Sequence, residues 1–573
     1  MGSNNIIVRE YLENLKEDGE LDALFPILIN LMGFRIVSTA KEAKGQSQYG
    51  KDIIAIGKDE NGVKHRYYFE LKGHSDKDIT DGNYSTRDGV RESIIEAKDT
   101  AFNDSSIPEF NSLPIKIVFV HNGVIKTNIR PTFEGFIAKE FKDGEFERWD
   151  IYYLTDLFSE YLFNENLLTD ERSLRLFKRT LILLDAPEND FTDFKELVNL
   201  QVEKIGENTK GRSFHKFFAT QLLLGNVIFH YSMENKNLEP AKQCITFLLL
   251  KTWSWILKNK LETKPSVIRE FRKLVALHFK MLDSYFKKTF DIASSESGLF
   301  SERGRFFEEA GYPLRCFEYL NYFIYYCDVR QHYPDLLPNV SGTKRKKLLR
   351  KQKDALKTLI ENNDGCCRPV MDFHSIAIVN VFRFVLDQFD GDDLKFIGDY
   401  MVMVFDNILI THQLTERFPL LSQNPAELVQ AIANANKEGY EDRSSLLITI
   451  LFEMAAIVSG EFIYDNYKFG FHEKINLQTA YPNFDEYDIE QLLFEKHFDR
   501  EFYVETSISL KDSFNEFREW ARAKTLENIS YRTDRAGFPY VRRLAHIYYN
   551  NEFFPDSWRT MFHLDTKKNK SNF

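Results

Sequence analysis

Gly50-Lys51-Asp52 and, after a hairpin-length interval, Phe69-Glu70-Leu71-Lys72 carry two acids and a lysine that one face of a small sheet can gather. Two carboxylates such as Asp52 and Glu70, helped by a backbone carbonyl for which Leu71 is the candidate, can hold one or two Mg²⁺ ions, or Mn²⁺ in their place. A neighbouring ammonium, Lys72, orients the attacking water or steadies the developing charge. The set is what a metal-dependent phosphodiesterase needs. It also has an ordinary structural use, with Asp52 capping a turn and Glu70 pairing with Lys72 on an exposed edge strand.

The elements around these residues decide between the two uses. Ile53 to Ile56 and Tyr67 to Leu71 are short runs rich in branched and aromatic residues, separated by Lys58-Asp59-Glu60-Asn61-Gly62, and read as a β-hairpin. A two-residue turn on Asn61-Gly62 sets Asp52 opposite Leu71 and sends Glu70 to the other face. A three-residue loop closed by Gly62 in the left-handed conformation sets Asp52 opposite Glu70. Only the second register makes a metal site. In it Tyr68, Glu70 and Lys72 share one face, and Phe69 and Leu71 take the opposite one.

These residues and their order over roughly the first 160 positions resemble the Mrr-like branch of the PD-(D/E)xK restriction-endonuclease superfamily. The resemblance implies an α/β domain, a mixed central sheet flanked by helices, with the catalytic residues on a hairpin. Glu20 to Leu31 is similar to the family's acid-bearing first helix, so Asp22, or else Glu20, takes the role of the helix acid. Gly50-Lys51-Asp52 matches the Gly-x-Asp motif and Glu70-Leu71-Lys72 the acid-x-lysine motif. Arg87 to Phe102 follows as a helix, Ile115 to Val120 as a buried strand, Ile151 to Leu154 as a last short strand, and Asp156 to Leu162 as the closing helix. Many Mrr-like proteins have Gln-x-Lys where this chain has Glu-x-Lys, a return to the general superfamily pattern. Gln48 just before the motif is a candidate DNA contact, although a polar lead-in to a strand is the simpler reading of it.

A chain of 573 residues exceeds one domain. It lacks a membrane-length apolar stretch, and its amino terminus does not resemble a signal peptide, so a cytoplasmic protein is expected. Five cysteines without metal-like spacing suggest free structural thiols. The net charge of −11 means that any grip on nucleic acid, DNA being the expected substrate, is local or supplied by a partner. Two basic stretches are candidates. One holds Lys344, Arg345, Lys346, Lys347 and Arg350. The other holds Arg542 and Arg543 with Tyr531, Tyr540 and Tyr548 interleaved. A solvated helix face explains the first as well as binding does.

Beyond about residue 165, segments such as Phe214 to His230, Ala241 to Lys258, Val267 to Lys288, Leu314 to Tyr326 and Leu394 to Ile408 have apolar residues at helical spacing. The expected organisation is a nuclease domain over 1–165 and a large, mainly α-helical region split into lobes over 166–340 and 341–573. Breaks near Tyr333 to Gly342 and Asn363 to Pro369 mark the division. The segment Gly206 to Ser213 nearly spells a phosphate-binding loop but has Arg212 in the lysine position. Arg368 to His374 fits the loose spacing of the HEPN ribonucleases. The function expected from the resemblance is a Mg²⁺-dependent endonuclease in prokaryotic restriction or antiphage defence, of Mrr-like or Cap4-like type, acting as a dimer or higher oligomer under a sensor or ATPase partner. The competing expectations are a non-catalytic adaptor that retains the fold and an RNase in the helical region.

Overall fold

The computed structural model describes residues 3–39, 49–59, 61–73, 77–87, 89–161, 170–186, 189–207, 211–332, 342–433, 444–472, 474–495, 500–524 and 530–564. The chain forms two compact units, Met1–Leu248 and Leu249–Phe573. The expected nuclease segment lies within the first. The expected break at 333–341 lies outside the described residues.

The first unit is built on a five-stranded sheet in sequential order, β1 (Arg35–Thr39), β2 (Ile53–Lys58), β3 (Lys64–Lys72), β4 (Ile115–His121) and β5 (Phe146–Trp149). β1, β2 and β3 pair antiparallel, whereas β3, β4 and β5 pair parallel. The change of direction follows from the connections. A short loop joins β2 to β3, while the parallel pairs are joined through the helices Val90–Asp99 and Arg130–Glu140.

The β2–β3 loop fixes the register. Asp59 N–H donates to Val63 O (2.9 Å), Gly62 N–H donates to Asp59 O (2.9 Å), and Gly62 sits at φ +79°. This is the three-residue loop closed by a left-handed glycine. The Asp59 carboxylate rigidifies it by accepting the N–H groups of Asn61 (3.0 Å) and Val63 (2.8 Å). Pairing therefore runs from Lys58 with Lys64 to Ile53 with Phe69. One more step sets Asp52 across from Glu70.

Both faces of the sheet are covered. Phe69 packs at 5.1 Å from Phe25 of the helix Asp22–Leu31 and at 5.5 Å from Trp149. On the other face Ile54, Tyr68, Ile117 and Phe119 pack with Ile94, Ala97, Phe110 and Phe133 from the two crossover helices and their connections. Glu70 and Lys72 belong to this second face, beyond the end of its apolar part.

One element differs in kind from the sequence reading. Ile151 to Leu154, expected as the last strand, opens the helix Ile151–Tyr161, and Phe146–Trp149 is the strand. The Asp150 carboxylate accepts the N–H groups of Tyr152 (3.0 Å) and Tyr153 (3.2 Å), and Ile151, Leu154 and Phe158 are buried at helical spacing. A helix cap outweighs the β preference of two adjacent tyrosines.

The second unit is mainly helical, its longer helices including Pro265–Ala293, Tyr312–His332, Gly342–Glu361, Gly391–Thr415 and Leu446–Ile457. It also holds a small sheet that the helical periodicity hides. β6 (Ser444–Ser445) pairs parallel with β7 (Asn476–Pro482), which pairs antiparallel with β8 (Tyr503–Ile508). Among the described residues no helix is long and apolar enough to cross a membrane.

Candidate functional site

Backbone geometry brings the acids together. Tyr49 and Gly50 both adopt positive φ, +49° and +68°. A Cβ on Gly50 would lie 2.0 Å from Ser93 O of the helix Val90–Asp99, so the turn presses backbone against backbone. Lys51 ties it down. Its ammonium is buried, donates to Tyr49 O (2.9 Å) and Glu96 O (3.4 Å), and lies 5.3 Å from the centre of the Tyr68 ring. Burial lowers the Lys51 pKa to about 8, partly opposed by Glu96 and Glu70. Gly50→Ala is expected to destabilise the first unit by more than ~2 kcal/mol, since it adds both a clash and a strained φ. A urea midpoint equal to that of the wild type would show that the turn does not hold Asp52 in place.

Asp52 leaves this turn with its N–H donating to Phe69 O (2.9 Å) and its Oδ2 accepting Leu71 N–H (2.7 Å). Its carboxyl is pushed up to about 8, by burial first and the Glu70 charge second, against the Leu71 N–H and the Lys72 ammonium. Glu70 is itself buried, 3% exposed. Lys72 Nζ sits 2.8 Å from Glu70 Oε1 and 3.5 Å from Glu17 Oε1. Burial works to discharge Lys72, but the charges of Glu70, Glu17 and Asp52 outweigh it and raise its pKa.

The acid that reaches the cluster from the N-terminal segment is Glu17, in place of the expected Asp22 or Glu20. Glu17 opens a wide π-helical turn, Glu17–Leu21, and its Oε2 accepts Gly73 N–H (3.2 Å). A Cβ on Gly73 would lie 2.8 Å from Glu17 N, so the segment crosses the end of β3 at backbone contact. The same turn directs Glu20 to Lys216 Nζ (2.5 Å) and to Lys16 N–H (2.7 Å). Asp22 begins the next helix, with Oδ1 buried and without a hydrogen-bond partner among the described residues. The signal for Glu17 lay in Glu17-Asp18-Gly19-Glu20, where a glycine among acids marks an irregular turn. Gln48 lies outside the described residues.

The donor set suits a hard divalent cation. Asp52 Oδ1, the Glu70 carboxylate and the Leu71 carbonyl are oxygens, and a cation held by them would offset the Glu70 charge that adds to burial in lifting the Asp52 pKa. Among the described residues no three Asp, Glu, His or Cys side chains form a ready metal cluster. A metal here therefore depends on carbonyl, water and substrate oxygens as well. The site stands where β3 and β4 end, the usual ligand edge of parallel strands. A cavity of about 940 Å³, lined by residues including Asp59, Arg66, Lys116 and Glu147, lies at the opposite end of the sheet. No family model, curated protein or solved structure matches this chain.

The two basic stretches fare differently. Lys344, Arg345, Lys346 and Lys347 are exposed in the first turns of the helix Gly342–Glu361. Arg350 is paired with Asp390 and with Asp354. Below them Lys353 and Lys357 clasp the buried Asp393 at 2.8 and 2.6 Å and anchor the helix. The reading of Arg542 and Arg543 as a nucleic-acid surface is corrected. Arg542 is buried, forks onto Asp534 with two 2.8 Å bonds and stacks on Tyr531. Arg543 bonds Asp328 at 3.2 Å, and burial lowers its pKa to about 10. The helix Pro539–Tyr549 buries Val541, Leu544 and Ala545 and draws this face inward.

His374, the histidine of the HEPN-like spacing, is sealed in the second unit, stacked at 4.1 Å on Phe317. Burial lowers its pKa to about 3. As pH falls, the unfolded chain protonates this histidine near 6.5 while the folded chain does not, so its contribution is intact above that pH and is lost down to about 3. Replacing it with Gln should make stability less steep in pH between 6 and 4, by up to ~1.4 kcal/mol per pH unit. Urea titrations across that range measure the slope, and an unchanged slope would contradict the burial argument.

Proposed function

We propose that residues 1–165 form a Mg²⁺-dependent nuclease domain of the restriction-endonuclease-like kind. The observation that carries this reading is the convergence of Asp52, Glu70 and Lys72 at one strand end, with Lys72 bonded to Glu70 and the Asp52 carboxyl strongly perturbed. An antiparallel β2–β3 hairpin leading into parallel strands through helical crossovers is consistent with it.

A Mg²⁺ ion held by Asp52, Glu70 and the Leu71 carbonyl would polarise the scissile phosphate and acidify the attacking water. The chain's own residues do the rest. Leu71 N–H fixes one oxygen of Asp52 and leaves the other to the site. Lys72 places a positive charge at the strand end, where it can orient water toward phosphorus and stabilise charge as it develops. Glu70 first and Glu17 second offset the burial of Lys72 and favour its charged form. The substrate proposed is DNA, and the exposed Lys344–Lys347 cations are a second place for its backbone to be held. Control by the helical unit, and a role in defence against phage, rest on the family resemblance.

The test is cleavage of plasmid, linear duplex, single-stranded DNA and RNA with Mg²⁺ or Mn²⁺ by wild type and by Glu70→Ala. Metal-dependent cleavage that disappears in the variant supports the proposal and names the substrate. Cleavage that survives in Glu70→Ala assigns the activity elsewhere.

A further inference from the structure

The lysine that the proposed reaction needs open is covered in this structure. The Lys72 ammonium meets two carboxylates, Glu70 Oε1 at 2.8 Å and Glu17 Oε1 at 3.5 Å, and its side chain is 19% exposed. A phosphate approaching Lys72 therefore meets like charge on both sides, and one acid has to give way. Glu70 is buried and the nearer partner. Glu17 is the farther one, with its side chain 30% exposed, and is the acid that can leave.

The segment that carries Glu17 is pinned at its ends and irregular between them. Leu15 and Leu21 are fully buried, and Asn122 Nδ2 holds the first end through Leu15 O (3.0 Å). Between these anchors the chain makes wide bonds to the fifth residue on, from Leu21 N–H to Lys16 O (2.9 Å) and from Asp22 N–H to Glu17 O. Turns of this kind are rare and concentrate at functional sites. One carboxylate cinches it. Glu20 Oε2 accepts Lys16 N–H (2.7 Å), and Oε1 meets Lys216 Nζ of the helix Gly211–Glu234 (2.5 Å). The turn is thus held on one side by Glu17, on Lys72 and Gly73 N–H, and on the other by Glu20, on Lys216. Both ion pairs are partly exposed, the kind of contact that is weak enough to exchange.

We propose that Glu17–Leu21 is a lid over the end of β3, latched by Glu20 and Lys216 and opened when a phosphate group replaces the Glu17 carboxylate on Lys72. In the closed form Glu17 stands in for the substrate and supplies the negative charge that faces the ammonium. In the open form the phosphate supplies it, so Lys72 keeps an anionic partner throughout. Binding is weakened by the fraction of molecules that are closed, and a looser latch strengthens it. The choice of a phosphate as the displacing group rests on the nuclease reading, whereas the latch does not.

The experiment is hydrogen exchange with mass spectrometry on the full chain, read at the amides of residues 17–22 and Gly73, for wild type, Lys216→Ala, Lys216→Arg and Glu20→Gln. Lys216→Ala and Glu20→Gln are expected to exchange about two- to fivefold faster there, the factor that a partly exposed ion pair is worth, and Lys216→Arg at the wild-type rate. Glu20→Gln keeps an acceptor for Lys16 N–H, so faster exchange in it comes from the lost charge pair. Unaltered exchange in β4 controls for folding. Mg²⁺ together with inorganic phosphate is expected to quicken the same amides in wild type. On the nucleic acid that wild type cleaves, Lys216→Ala is expected to lower KM by the same factor with kcat unchanged. Unchanged exchange in both latch variants, no response to phosphate, or weaker cleavage by Lys216→Ala each overturns the inference. Absence of cleavage by every form counts against the nuclease reading alone, since exchange is measured without turnover.

Discussion

Lys72→Ala is expected to lower metal-dependent cleavage by at least about a hundred- to a thousandfold, the loss that follows removal of one pre-aimed charge from a transition state. The chain should stay folded, because Lys72 is the last residue of β3 and the sheet core is made by Phe69, Tyr68 and their neighbours. Metal binding should survive better than turnover. Without a cation the ammonium of Lys72 is the positive charge paired with Glu70 beside Asp52. A divalent ion supplies that charge in its place. Turnover lost while Mg²⁺ titration is weakened less than about tenfold would therefore assign Lys72 to the reaction and not to assembly of the site. Undiminished turnover would end the proposal. Equal loss of metal binding and cleavage would make Lys72 a part of the metal site's electrostatics instead.

How far this site could be read from the letters depended on one glycine. Gly62 chose between two hairpin registers, and the left-handed conformation it adopts is the one that sets Asp52 across from Glu70. Local chemistry of that kind is written in the sequence. Glu17 was legible only in part, because Gly19 among acids marks an irregular turn but not the π-helical crossing of Gly73 that brings Glu17 to the site. Tyr152 and Tyr153 misled for a related reason. Their β preference is a weak intrinsic tendency that one capping carboxylate, Asp150, overrides. Arg542 and Arg543 were misplaced because composition gives charge but not direction. Their partners Asp534 and Asp328 lie 8 and 215 positions away, so only the fold shows the second pairing. In the helical unit long amphipathic stretches were legible, whereas β6–β8 were not. They are short strands distributed between helices, and their pairing spans tens of residues.

The largest expected loss of stability in the second unit is at Arg559. Its guanidinium and the Glu453 carboxylate are both fully buried, and they meet through Nη2 to Oε1 (2.6 Å) and Nε to Oε2 (2.8 Å). The second amino group of Arg559 donates to Tyr481 OH (2.8 Å) and Lys524 O (2.9 Å), and Trp558 Nε1 donates to Glu453 Oε2 (2.6 Å). One ion pair thus joins the helix Leu446–Ile457, strand β7 and the end of the helix Phe514–Ala523 to the C-terminal segment. Arg559→Met removes the cation and leaves a buried carboxylate with Trp558 as its remaining partner in this network. The expected cost is about 3–5 kcal/mol, a large part of the 5–15 kcal/mol a domain has in all. Much of that cost is the stranded charge, so Glu453→Leu in the same chain should return more than half of it even though a second native group is lost. Urea midpoints of wild type, Arg559→Met and the double variant decide the matter. A single variant within about 1 kcal/mol of wild type would mean that water reaches Glu453. A double variant less stable than the single would mean that the hydrogen bonds to Tyr481, Lys524 and Trp558, and not the ion pair, hold these elements together.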